Sequence, residues 1–245
     1  MTGTPTTGRM VENQFVRLVE AVVRRSTDSA SLTAGSCRAM ETLARPHNLA
    51  ELIRGVLRDP DLRRLSEQAS YAHALGFDKF VLFAAPSGAQ LRLHVWGEGE
   101  PRLTEDIHNH RFAFVSSIVF GSLVAEYFVL SDGSDYCGYV ESASPDEHQW
   151  RFTPAGTLGL TPVNVDTMER PRVYALPQTA IHRSYAKSDE LTATLLVQFP
   201  GVMASSTVYK PRGSSVAATA PQPRFDSDVY EQKLTEFLAR LDAAS

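Results

Sequence analysis

Three histidines stand at spacings that suit metal binding. His108 and His110 form an H-x-H pair in Asp106-Ile107-His108-Asn109-His110, and His182 stands far downstream in Leu176-Pro177-Gln178-Thr179-Ala180-Ile181-His182. Side chains alternate along a strand, so an H-x-H pair puts both imidazoles on one face, about 7 Å apart. Two such rings can converge on one ion, and a third from a distant strand closes a face of the coordination sphere. Imidazole suits Zn, Cu, Fe and Ni, so the triplet implies a transition metal without choosing one. Three neutral ligands leave up to three positions for a small-molecule substrate and dioxygen. They also leave the metal its full +2 charge, which favours an anionic donor such as a thiolate, carboxylate or enolate.

Other residues could complete such a site. Arg92, His94 and Trp96 alternate on one strand face, opposite Leu91, Leu93 and Val95. If that face lines a pocket, the Arg92 guanidinium could clamp a carboxylate in a bidentate pair, with His94 beside it and Trp96 as packing support. The alternative is a solvated outer face. Glu105 and Asp106 directly precede the ligand pair and could orient a metal-bound imidazole, although a surface turn would also place acids there. Arg111 and Arg183 each follow a ligand, so on a strand they should point away from the metal, into structural ion pairs. Tyr127 and Gln198 read as buried residues, and His148 as an exposed loop residue.

Several kinds of element must position these groups. Residues 1–75 read as a helical region: Val11, Phe15, Leu18, Val19, Val22 and Val23 recur at helical spacing. A second helix opens with Asn48 as N-cap and Glu51 three residues on, followed by a third after Pro60. Residues 76–210 read as a β region of short runs, including Lys79–Phe83, Leu91–Trp96, Ser116–Phe120, Val124–Leu130 and Leu195–Phe199. Turns are expected at Pro86-Ser87-Gly88, Gly97-Glu98-Gly99, Ser131-Asp132-Gly133-Ser134 and Pro154-Ala155-Gly156. Such punctuation points to a sandwich or barrel. Residues 211–245 read as a Pro/Ala/Ser-rich linker to Pro223 and a closing helix from Asp226 to Leu241.

Composition excludes several classes. The 245 residues, 43% hydrophobic, suffice for a full core. A net charge of −4 without a long basic run argues against nucleic acid as a partner. No apolar stretch approaches the length of a membrane span. Two cysteines a hundred residues apart, Cys37 and Cys137, form no C-x-x-C motif. These features, with an N-terminus that lacks signal-peptide character, suit a cytoplasmic protein, monomeric or homodimeric.

The histidine frame resembles the two motifs of the cupin superfamily, G-x5-H-x-H-x3,4-E-x6-G and G-x5-P-x-G-x2-H-x3-N. Gly121 lies eleven residues after His110, and Pro177 five before His182. The motif glutamate falls at Phe114, the second-motif glycine at Thr179 and the terminal asparagine at Ala186, so the resemblance implies a three-histidine site. Asn48–Ile53, Trp96-Gly97-Glu98-Gly99, Ile107–His110, Gly121-Ser122-Leu123 with Glu126, and Ile181-His182-Arg183 resemble landmarks of the cysteine dioxygenase-like thiol dioxygenases. The likeness covers about residues 45–200. It implies a double-stranded β-helix (jelly-roll barrel) with N-terminal helices and a C-terminal helix, holding ferrous iron on His108, His110 and His182.

That branch's substrate landmarks differ here. His73 stands where its carboxylate-binding arginine follows Tyr71, Phe199 where it carries a tyrosine, Val197 a histidine, and Val115 a cysteine. Tyr71, His73 and Phe199 are therefore expected around a substrate other than cysteine. The leading reading is a mononuclear non-haem Fe(II) oxygenase using dioxygen on a small polar, anionic substrate, with Zn, Ni, Mn or Cu open as alternatives. A redox-neutral Zn or Ni isomerase, lyase or hydrolase is the second reading, and a non-catalytic small-molecule-binding scaffold the third.

Overall fold

Strand β3 (Gln90–Trp96) shows how the molecule is organised. Its odd-numbered residues Leu91 and Leu93 are fully buried in one cluster with Phe80, Leu82, Val115, Val119, Leu195 and Val197. Three helices close that cluster from outside: α1 (Ala34–Leu43), α2 (Pro46–Arg58) and α4 (Ser227–Ala243), through Met40, Leu49, Ile53, Tyr230, Leu234, Phe237 and Leu241. The apolar face of β3 is thus taken by helices, and Arg92 and His94 are turned into the barrel. The computed structural model describes residues 34–99, 105–144, 148–187 and 189–244. The apolar series from Val11 to Val23 lies outside them.

The remaining strands are β1 (Tyr71–His73), β2 (Phe77–Ala84), β4 (Ile107–His108), β5 (Phe114–Phe120), β6 (Ser122–Ser144), β7 (Gln149–Glu169), β8 (Val173–Leu176), β9 (Ile181–Ala186), β10 (Thr192–Gln198), β11 (Ser206–Pro211) and β12 (Thr219–Pro221). They form two six-stranded sheets, ordered β1-β2-β3-β10-β5-β8 and β11-β4-β9-β6-β7-β12, with antiparallel pairing throughout. From β3 to β10 the chain passes back and forth between the sheets, so sheet neighbours are distant in sequence. This is the double-stranded β-helix, mainly β and flanked by helices. Gly121, at φ +63, makes the tight turn from β5 to β6; a Cβ there would strike the Thr192 side chain and the Leu191 carbonyl.

Three expectations are corrected. The second helix begins at Pro46, with Arg45 as N-cap. Proline suits the first helical position because its missing N–H would have no partner there. Asn48 instead donates from Nδ2 to the Thr42 carbonyl at 2.7 Å. Asp59 caps α3 (Pro60–Ala69) by accepting from the Asp61 and Leu62 amides. Ser131–Ser134 is no hairpin turn but a bulge within β6, where pairing jumps from Ser131↔Gly159 to Tyr136↔Leu158. Pro154-Ala155-Gly156 likewise lies inside β7, at a second register shift.

The β6 bulge has a consequence for the barrel mouth. The near part of β6 pairs with β9, and its far part with β11. The segment read as a linker supplies β12 on the far part of β7 and then leads to α4. Arg54 of α2 binds both carboxylate oxygens of Asp242 at 2.6 Å, tying that helix back to the first sheet's cover. No helix among the described residues is long and apolar enough to cross a membrane.

Candidate metal centre

Strand register brings the three histidines together. His108 on β4 pairs directly with His182 on β9, and His182 in turn with Tyr127 on β6. Cross-strand partners share a face, so all three point into the barrel. His110 follows just beyond β4. The nearest ligand atoms of His108, His110 and His182 all lie within 4.8 Å of one another, and no other such cluster occurs among the described residues.

Each ring is held in a ligating orientation. The His108 Nδ1–H donates to the Asp106 carbonyl at 2.7 Å, and the His182 Nδ1–H to the Ala180 carbonyl at 3.2 Å. A carbonyl only accepts, so the proton sits on Nδ1 and the Nε2 lone pair is free for a metal. His110 stacks on Phe112 at 5.1 Å and meets the edge of Phe114 at 5.2 Å. Burial, then His108, pushes the His182 imidazole down to about 3. Burial, then His108 and His182, pushes His110 well below its usual range. Both rings are therefore neutral at pH 7, the form that ligates. Phe114 occupies the motif glutamate position as a buried apolar residue. The donor set of three imidazole nitrogens fits a divalent transition metal.

Glu105 and Asp106 support the cluster by other means than a carboxylate-to-imidazole bond. Asp106 uses its backbone carbonyl on His108, while its carboxylate pairs with Lys210. The Glu105 amide donates to the Ser184 carbonyl, and the Glu105 carboxylate accepts from the Ser184 amide. This two-way clasp fixes the approach to β4 against β9, two residues beyond His182.

The triad lines a cavity of about 420 Å³, and the first sheet supplies the facing wall. Tyr71↔Lys79, Lys79↔His94 and His94↔Thr194 are successive cross-strand partners from β1 to β10. They form one polar row in which all four side chains line the cavity. Arg92 lies one inward position along β3. Its Nε donates to Gln90 Oε1 at 2.8 Å, and its guanidinium lies 5.1 Å from the Phe112 ring centre. Burial lowers Arg92 to about 10, so it remains a cation. His73 is stacked between Tyr71 and Phe77, and burial, then Lys79, lowers it to about 3. Buried Trp96 also lines the wall; its Nε1 and the His94 Nε2 have no hydrogen-bond partner among the described residues.

Two expectations fail here on strand parity. Phe199 does not line the cavity but packs in the helix-side cluster, together with Val197 and Val115. Thr194 and Leu196 are the residues of β10 that line it, and the odd-numbered positions face the helices. Arg111 lines the cavity instead of pointing away, because it lies beyond the end of β4, where alternation no longer holds. Arg183 does point outward, its NH2 group lying 2.6 Å from Glu126. Tyr127 stacks on His182 at 6.4 Å, and Gln198 is buried with Nε2 on the Gly88 carbonyl.

Sequence reading missed Lys79, Glu141, Trp150, Phe152 and the β11–β12 residues of the cavity wall. For Lys79 there was a signal: a lysine inside the apolar run Phe77–Phe83 must find a polar environment. Of the others, Glu141 lies on the far part of β6, and Trp150 and Phe152 on the part of β7 paired with it.

No family model matches this sequence, and no curated protein matches it. Solved structures similar in fold include hydroquinone 1,2-dioxygenase PnpCD, in complex with Cd2+ and 4-hydroxybenzonitrile, at 13% identity and TM-score 0.31. That alignment covers 50% of this chain and 64% of the other, just under two thirds of its length. Oxalate oxidase is similar at 13% identity and TM-score 0.33, covering 71% and 74%. The Drosophila melanogaster CENP-C cupin domain is similar at 8% identity and TM-score 0.34, covering 52% and 73%.

Proposed function

We propose that this chain is a mononuclear non-haem metal oxygenase, binding Fe(II) through His108, His110 and His182 and acting with dioxygen on a small anionic substrate. One observation carries the reading: three imidazoles converge on one wall of a cavity whose facing wall presents Arg92, Lys79 and His94. Divalent iron supplies one-electron chemistry toward dioxygen, which no side chain of this cavity can supply.

The chain's own residues do the rest. Asp106 and Ala180 hold two rings by their carbonyls, and Phe112 and Phe114 hold the third, so the donors are set before a metal arrives. Neutral donors with Phe114 at the glutamate position leave the +2 charge uncompensated, which selects an anionic substrate donor. The Arg92 guanidinium, anchored by Gln90 and Phe112, offers its remaining N–H donors to a carboxylate. The apolar rings around the triad exclude water, which strengthens each of these charged contacts.

The test is dioxygen uptake by Fe(II)-loaded protein across a panel of small carboxylates, thiols and enolisable acids, with L-cysteine included and expected to be a poor substrate. Fe(II)- and substrate-dependent uptake, lost in His110→Ala, supports the reading. Turnover with Zn or Ni and no oxygen consumption overturns it in favour of redox-neutral chemistry, and ligand binding without turnover leaves a binding scaffold.

A further inference from the structure

Lys79 lies in the middle of β2, is 9% exposed, and lines the cavity. Its Nζ donates to the Tyr71 hydroxyl at 2.9 Å and sits 4.7 Å from that ring's centre, but it forms no ion pair with a carboxylate among the described residues. An ammonium carries three N–H donors, so the Tyr71 bond leaves most of its capacity toward the cavity. A buried cation without a counter-ion is costly, and proteins keep one where a ligand will supply the missing charge.

The neighbouring groups share that imbalance. Among the described residues, Arg92 uses only Nε, on the neutral Gln90. Arg111 also lines the cavity without a hydrogen-bond or ion-pair partner for its guanidinium among the described residues. The acids of the wall are engaged elsewhere: Asp106 with Lys210, Glu105 with the Ser184 amide, and Glu141 accepting from the Ser206 hydroxyl at 2.8 Å. Across β2 and β3, Lys79 pairs with His94 and Val81 with Arg92. Lys79 and Arg92 are therefore diagonal neighbours on one face, a spacing of roughly 7–8 Å that two long side chains can close onto a single anion.

We infer that Lys79 and Arg92 form an anion subsite facing the histidine triad, and that the substrate is a dianion with a carboxylate for this subsite and a second anionic donor for the metal. The second half of this inference rests on the metal reading above; the subsite itself does not. Burial first, then Arg92 and Arg111, pushes the Lys79 amine well below its usual range. A carboxylate beside it acts in the opposite sense, as Glu141 already does, and favours the charged form.

Calorimetry on the full chain tests this, with succinate, butyrate and inorganic phosphate as probes of zinc-loaded and chelator-treated protein. Succinate is expected to bind loaded protein at least about tenfold tighter than butyrate, the worth of one charged hydrogen-bonded contact. Lys79→Met should abolish that preference. Lys79→Arg should keep the preference, which separates lost charge from a damaged fold. Equal affinities for succinate and butyrate, or an unchanged preference in Lys79→Met, overturn the subsite. Phosphate bound in place of succinate overturns the carboxylate assignment. Wild-type protein that takes up no metal yet binds succinate through Lys79 sinks the metal reading and supports the subsite.

Discussion

His182→Ala should abolish metal-dependent stabilisation of the fold. The ring is 3% exposed, held by the Ala180 carbonyl and packed 4.8 Å from the His108 ring and 6.4 Å from the Tyr127 ring. Emptying that space destabilises the metal-free protein by itself, on the order of 2 kcal/mol by analogy with other large-to-small changes in packed interiors. The informative quantity is therefore the shift on adding metal, not the absolute melting temperature. A ligand that binds only the folded state at about 100 times its Kd stabilises by about 2.7 kcal/mol. For a chain of this length each kcal/mol moves Tm by about 2–4 °C, so wild-type protein should gain about 5–11 °C. The assay is a melting curve with and without Zn(II) or anaerobic Fe(II). Exposed His47 on α2 provides the control, and His47→Ala should keep the full shift. An equal shift in His182→Ala and wild type would refute the assignment of this histidine as a ligand.

Three further outcomes are expected. Arg92→Ala should weaken succinate binding about ten- to a hundredfold at unchanged metal content, with Arg92→Lys recovering only part because the planar fork is lost; unchanged affinity would place the clamp elsewhere. His73, lowered to about 3 by burial and Lys79, binds no proton in the folded state where the unfolded chain begins to bind one, near pH 6.5. The stability it contributes is fully present above about pH 6.5 and falls toward pH 3 by about 1.4 kcal/mol per unit, so His73→Leu should flatten the acid limb of urea unfolding by that slope; an unaltered limb counts against it. Gly121→Ala should lower stability by more than about 1 kcal/mol in urea midpoints, since φ +63 strains any L side chain and the new Cβ strikes Thr192 and the Leu191 carbonyl; a neutral substitution would show that this turn relaxes freely.

Much of this architecture was legible in one dimension. Period-two alternation marked β3, an apolar run marked β10, turn residues separated most strands, and helical spacing found α4, because each of these signals is local. The triad was legible for the same reason: H-x-H fixes two rings on one face whatever the partner strand, and the distal histidine completed a known spacing. What the chain alone left open was orientation. The two faces of β3 look equally suited to interior or solvent until α2 and α4 claim Leu91 and Leu93, and only that packing turns Arg92 and His94 inward. Counting along the sequence aimed Phe199 at the pocket, whereas just past the end of β10 it packs in the helix-side cluster instead. The turn residues at Ser131–Ser134 likewise became a bulge, because pairing with β11 rewards continuation over reversal. Composition and periodicity thus determine which residues can form a strand and a metal face. Which face becomes the cavity, and that Lys79 stands in it, depends on contacts between residues far apart in the chain, so only the tertiary structure decides them.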